Sequence, residues 1–278
     1  MKPPPAAHLS GMKVLVTNDD GVSSPGLHAL ARALVDDGRD VVVAAPDQDM
    51  SGMGAAIGRI HLDEHIDARP VELPGLAGVP AYAVDGPPGL CVLAARLGGF
   101  GEPPDLVLSG INPGANTGRA VLHSGTVGAA LTAANFGGRG LAVSLDVPTR
   151  LDPGVPRHWD TAAAVAAAAV DWLAAARAGV VLNLNVPDRP PERLAGARPA
   201  TLAPFGTVRS AVVETAEGGG RLQMELRPSD VELPPDCDTA LVKAGYVAVS
   251  PIGGIRIDDS VDVSDLLGAL VADARRTA

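Results

Sequence analysis

Val14-Leu15-Val16-Thr17-Asn18-Asp19-Asp20-Gly21 is an apolar run that breaks into two adjacent carboxylates and a glycine. A short run of buried β-type residues ending in acidic groups marks the carboxyl end of a central parallel strand, and open α/β sheets bind ligands at those ends. Asp19 and Asp20 therefore read as the heart of an active site. Two neighbouring carboxylates repel each other unless a cation or a proton lies between them, and oxygen-only ligands suit a hard divalent ion such as Mg2+ or Mn2+. The same residues also suit an Asx-type turn that does no more than cap the helix starting near Pro25.

Downstream of this stretch, Leu27, Leu30, Ala31 and Leu34 lie at helical spacing within Pro25 to Val35, with Ser23 or Ser24 as N-cap and Gly38 as the stop. Asp40 to Ala45 reads as a second buried strand, joined to the first as a right-handed βαβ unit that sets the two strand ends side by side. The loop from Pro46 to Gly54 then reaches the same site. In it Ser51 offers a hydroxyl oxygen to a metal, or serves only as a turn residue. Leu106-Val107-Leu108 is a third short strand, running into the glycine-rich loop Ser109 to Gly118. Ser124-Gly125-Thr126-Val127-Gly128 opens a helix that ends at Gly137. Small and hydroxyl residues at a helix N-terminus make an anion site, because free N–H groups and the helix dipole face the ligand. An N-capped core helix accounts for the same residues. The spacing is neither the dinucleotide fingerprint nor a P-loop, which would end in Gly-Lys-Ser/Thr.

The rest of the chain alternates in the same way. Ile57 to Ile66 and Tyr82 to Val84 read as peripheral extended segments with His61 and His65 at the surface, and Pro87 to Leu97 as a helix. Gly140 to Leu145 is a fourth strand, Trp159 to Ala178 a long alanine-rich helix, and Val180 to Val186 a fifth strand closed by Pro187. Such alternation specifies an α/β fold, a doubly wound, mostly parallel Rossmann-like sheet, over residues 12–188. Beyond Asp188 the pattern changes to an α+β extension, residues 189–278. Thr207 to Glu214 and Arg221 to Arg227 form a hairpin around Gly218 to Gly220, Tyr246 to Ser250 is another strand, and Ser264 to Arg275 a terminal helix. These elements suit oligomer contacts, and equally a cover over the active site. Residues 1–11, with Pro3, Pro4 and Pro5 and no apolar signal core, read as a disordered tail.

Composition narrows the function classes. The formal net charge of -10 argues against a nucleic-acid polymer or an anionic membrane as partner, since both require a basic face. A small anionic substrate remains compatible if a metal supplies the local positive charge. With aromatics at 3%, the core must be built from Ala, Val and Leu. Cys91 and Cys237 show no ligand spacing and read as buried thiols of a cytoplasmic protein, without a zinc site. The longest apolar run, Ala162 to Val170, is too short to span a bilayer.

The TNDDG strand end, the APDQDMSG loop, SGINPGANTG, HSGTVGAALTA, LNLNVP and GYVAVSPI occur in an order that resembles the SurE family of metal-dependent nucleotidases and acid phosphatases, over about Met12 to Ile252. The resemblance implies one divalent metal ion per subunit, Mg2+ or Mn2+, on Asp19, Asp20, Ser51 and Asn112. It also implies Ser124, Gly125 and Thr126 at the substrate, with Asn116 of the glycine-rich loop a further substrate-binding candidate, and a homodimer or homotetramer assembled through the C-terminal segments. Two positions depart from the family pattern: Gln48 replaces a basic residue, and His123 replaces a tyrosine before SGTV.

The expected function is divalent-metal-dependent hydrolysis of nucleoside 5'- or 3'-monophosphates, a small phosphomonoester substrate. Asp19, Asn112, Ser124 and Thr126 are the catalytic candidates, and the hydroxyl and N–H groups of the SGT turn hold the equatorial charge. His123 is a candidate leaving-group acid by its pKa class, although a single histidine beside a glycine loop is more often structural. Rival readings are an aspartyl-phosphate route through Asp19, a phosphatase for one phosphorylated biosynthetic intermediate, and a nucleotide-binding protein without turnover.

Overall fold

The computed structural model describes residues 11–58, 65–147, 155–204, 208–213, 223–228, 232–255, 257–258 and 260–264. In chain order the elements are β1 (Lys13–Thr17), α1 (Pro25–Asp36), β2 (Asp40–Pro46), β3 (Ala68–Pro70), β4 (Ala81–Val84), α2 (Pro88–Arg96), β5 (Leu106–Pro113), α3 (Gly125–Asn135), β6 (Arg139–Asp146), α4 (Trp159–Ala175), β7 (Val181–Pro187), β8 (Ala197–Pro199), β9 (Val208–Val213), β10 (Gln223–Pro228), α5 (Asp238–Lys243) and β11 (Val247–Ile252). The main sheet runs β3-β4-β2-β1-β5-β6-β7-β11-β8. Six strands from β4 to β7 are parallel, and β3 and β11 are antiparallel to their inner neighbours. The doubly wound sheet expected from the sequence is present, and strands β11 and β8 from beyond Asp188 widen it. The β9–β10 hairpin is a separate two-stranded sheet.

Each central strand buries both faces, which is why its sequence is an unbroken apolar run rather than an alternation. Val14, Val16 and Val43 point toward α1, where Leu27, Leu30 and Leu34 recur at helical spacing, and the same core continues under α4 through Ala166, Val170 and Leu173. On the opposite face Leu15, Val42 and Val107 meet Cys91 and Val92 of α2 and Ala129 and Ala133 of α3. Helices α1 and α4 thus share one face, α2 and α3 the other.

That placement fixes the relative hand of the crossovers. The step from β1 to β2 and the returns from β4 to β5 and β5 to β6 pair direction with face in the same sense. The step from β6 to β7 moves the same way as β5 to β6, yet its helix lies on the other face, so it has the opposite hand. Single-handedness holds in about 98% of such units. Here α3 already covers Ala142 and Val181 on one face, and only a helix on the other covers Leu182, Leu184 and Val186.

Three sequence expectations change. Strand β5 does not stop at Leu108: it pairs with β6 as far as Asn112 with Ser144 and Pro113 with Leu145, after a register shift between Ser109 and Asn112. Residues with turn chemistry are held extended there by β6 alone, since the pairing with β1 ends at Ser109. Ser24 occupies the N-cap of α1 without a side-chain capping bond, and Pro25 in the first turn leaves one N–H fewer to satisfy. The extended segment expected over 57–66 lies mostly outside the described residues, the edge strand that is described is Ala68–Pro70, and α4 ends at Ala175, short of Ala178. The expected tail, His61, the glycine turn of the hairpin and the terminal helix lie outside the described residues.

Candidate active site

Strand β1 sits between β2 and β5, where the chain reverses its direction of travel across the sheet. At such a switch point the loops leaving neighbouring strands diverge and open a crevice at their carboxyl ends. Asp19 and Asp20 follow β1, the 46–54 loop follows β2, and Asn112 is the next-to-last residue of β5. Two backbone bonds join the first two loops: Val22 N–H donates to the Pro46 carbonyl at 2.8 Å, and Met50 N–H to the Asp19 carbonyl at 2.7 Å.

Asp19 is 3% exposed. Its Oδ1 accepts the Thr126 hydroxyl at 2.5 Å, a bond that spans 107 residues. Burial pushes its carboxyl above the usual range, while the Thr126 hydroxyl and the Thr126 backbone N–H pull against that rise. Asp19 therefore faces the N-terminus of α3, where a negative group is favoured. Gly125 makes this approach possible: a Cβ there would fall 2.7 Å from Asp19 Cβ and 2.8 Å from its Oδ2. Asp20 is pushed up to about 7, first by burial and then by the charges of Asp19 and Asp49. Its Oδ2 is buried without a hydrogen-bond partner, as is Oδ1 of the fully buried Asn18.

The remaining expected residues have distinct settings. Ser51 is exposed, and its hydroxyl and N–H both donate to Asp49 Oδ1, at 2.6 and 2.8 Å. Asn112 is half-buried and gives its amide N–H to the Gly114 carbonyl at 2.7 Å, which turns the acceptor Oδ1 free of that bond. Ser124 caps α3, its Oγ accepting from Val127 N–H at 3.1 Å, so its hydroxyl proton is available to a ligand. The hydroxyl proton of Thr126 is instead committed to Asp19. Asn116 donates its side-chain amide to Ser144 Oγ at 3.0 Å. His123 is exposed and its carbonyl accepts from Gly54 N–H at 3.1 Å, tying the 46–54 loop to the entry of α3. Sequence reasoning did not single out Asp49, whose only signal was its place in the loop, or Asn18 and the buried pair Asn183 and Asn185, whose signal was amide side chains inside apolar strands.

Donor chemistry tests the fit of a metal. Two raised carboxyls side by side, one with an orphaned buried oxygen, are an acidic pair lacking a counter-charge. The candidate donors are all oxygens, and among the described residues no group of three His, Cys, Asp or Glu converges. This suits a hard ion that keeps several waters and takes one or two carboxylates, and does not suit zinc.

The chain matches the family model described as Survival protein SurE over residues 14–207. It is similar to the 5'-nucleotidase SurE of Alkalilimnicola ehrlichii, 38% identical over 245 residues, with 87% of this chain and 89% of that protein covered. It is likewise similar to the 5'/3'-nucleotidase SurE of Edwardsiella ictaluri, 35% identical over 245 residues with the same 87% and 89% coverage. Among solved structures it resembles the SurE protein from Aquifex aeolicus with a TM-score of 0.74 and 27% identity, covering 93% of this chain and 99% of that one. Match, fold and strand-end acidic pair agree, and the chain belongs to the SurE family.

Proposed function

We propose that this chain is a divalent-metal-dependent phosphomonoesterase that hydrolyses nucleoside 5'- or 3'-monophosphates to nucleoside and phosphate. The observation that carries the reading is the Asp19–Asp20 pair at the sheet's switch point, with the buried Asp19 facing the N-terminus of α3 and Asp20 holding an unpartnered carboxylate oxygen. The names of the relatives from Alkalilimnicola and Edwardsiella support the substrate class.

Asp19, Asp20, Ser51 and Asn112 would hold the metal, Mg2+ or Mn2+. Bound there, such an ion supplies Lewis acidity toward the phosphoryl group and makes a ligated water more acidic. The chain's own groups do the rest. The Thr126 hydroxyl fixes the rotamer of Asp19. The Ser124 hydroxyl and the first-turn N–H groups of α3 orient phosphoryl oxygens and offset their charge. The buried walls around Asp19 exclude water from the pair and strengthen every polar contact inside.

Phosphate release from a panel of nucleoside monophosphates, with and without EDTA, tests the reading. Activity is expected to vanish on chelation, to return with Mg2+ or Mn2+, and to be abolished in a folded Asp19→Asn protein. Full turnover after exhaustive metal removal overturns it. In this reading the protein works in the cytoplasm as a homodimer or homotetramer. Support comes from the β9–β10 hairpin, which among the described residues pairs with no strand of the main sheet, and from an apolar groove of about 460 Å³ between α4 and β11 that includes the half-exposed Trp172. Among the described residues no helix is long and apolar enough to cross a membrane.

A further inference from the structure

We propose that Asn183 and Asn185, on strand β7, are positioning residues that hold the loop carrying Asn112 and Asn116 in its working geometry. The inference rests on the phosphomonoesterase reading above for its catalytic consequence, and on geometry alone for its structural one.

Both side chains are fully buried. Both donate their amide N–H to one acceptor, the Asn116 carbonyl, at 2.8 Å from Asn183 and 3.0 Å from Asn185. Nothing in the sheet requires amides there. Residues 183 and 185 share a face with Val181, which packs against Val127 and Ala130 of α3 as ordinary hydrocarbon. Each asparagine also leaves its Oδ1 buried without a partner. A buried amide satisfied on one side only is less favourable than a leucine of similar volume. The compensating role is therefore the carbonyl that the two amides hold.

That carbonyl is one of a row of attachments along a single segment. Gly114 N–H donates to the Leu145 carbonyl of β6 at 2.9 Å. The Asn116 amide reaches Ser144 of β6 at 3.0 Å. Gly118 N–H donates to Oδ2 of the buried Asp238 at 2.8 Å. The segment from Asn112 to Gly118 is thus attached at alternate residues to β6, β7 and α5, and the two asparagines supply its central fixing point. Because it leaves the end of β5, a shift at Asn116 displaces Asn112 against Asp19 and Asp20.

The test is the double substitution Asn183→Leu/Asn185→Leu, with each single change beside it. The double variant is expected to melt close to the temperature of the parent, since it removes two buried orphan oxygens but also leaves the Asn116 carbonyl without its two donors. Three readouts should nevertheless worsen: the Gly118 amide should exchange its hydrogen at least tenfold faster, Mn2+ titrated by electron paramagnetic resonance should bind more weakly, and kcat should fall about a hundredfold with KM little changed. Each single variant keeps one donor and should lose less than half of that effect on a logarithmic scale. Unchanged Gly118 exchange or unchanged kcat in a folded double variant overturns the proposal. If the double variant does not fold, the same readouts taken on Asn185→Leu support or overturn it. Should the parent release no phosphate from any ester, the phosphomonoesterase reading fails, while exchange and Mn2+ binding still decide the positioning role.

Discussion

At the scale of single residues, the Asp20 carboxyl has the most direct consequence. Its pKa is about 7 in the folded protein against 3.8 ordinarily, so the metal-free fold binds a proton more tightly than the unfolded chain does. The sign follows from linkage: Asp20 contributes stability that is complete below about pH 4 and is lost as pH rises through about 7. The melting temperature of the chelated protein should therefore fall between about pH 4 and pH 7 and level off above that. Asp20→Asn should flatten that slope and stabilise the metal-free protein at pH 8 by roughly 1–3 kcal/mol, while abolishing Mn2+ binding. A chelated protein whose melting temperature rises over this interval contradicts the assignment. Thr126→Val keeps the shape and removes the hydroxyl that Asp19 accepts. A loss of about tenfold to a hundredfold in activity or metal affinity is expected, as for other groups that orient a ligand. Equal activity in the two proteins would mean that Asp19 needs no such support.

Among the elements, α3 joins the metal side of the site to the substrate side. Its first turn faces Asp19, and its next residue on that face, Gly128, packs directly on the backbone of the 46–54 loop: a Cβ at Gly128 would overlap the Gly54 carbonyl group. Helix propensity alone favours alanine at this position by about 1 kcal/mol. Close contact should win, because backbone on both sides has no rotamer with which to yield. Gly128→Ala is expected to lower the melting temperature and cut activity by moving Ser51 away from Asp20. Circular dichroism and phosphate release check the two effects together; a stabilised, fully active variant would show that the loop is not anchored on α3. The opposite-handed step through α4 belongs at the same scale. Asp188, directly after β7, accepts His158 N–H at 2.9 Å and pairs with Arg157 at 3.1 Å, fixing the start of α4.

For the whole molecule, the extension beyond Asp188 is split. Strands β8 and β11 complete the sheet, α5 carries the Asp238 carboxylate that fastens Gly118, and among the described residues the hairpin pairs only with itself. An isolated two-stranded hairpin is marginal in water, and exposed edges recruit further chains. Light scattering at low micromolar concentration should return a mass of at least two chains; a monodisperse particle of 28.0 kDa excludes the assembly.

The sequence by itself determined the acidic strand end at Asp19 and Asp20, the alternation that makes a doubly wound sheet, the helix opening at Ser124, and the order of motifs that marks the SurE family. These are local matters: side-chain period and turn chemistry act within a few residues and are written in the order of the chain. What only the tertiary structure decided is partner choice. It takes folding to bring Thr126 to Asp19 across 107 residues, and to carry Asn183 and Asn185 to Asn116 across 67 and 69. The extension of β5 through Ser109 to Pro113 is of the same kind, since β6 supplies the hydrogen bonds that override a loop-like sequence. A hydroxyl or an amide has the same local pattern whether it points at water or at a buried carbonyl, and only the packing of the sheet settles which.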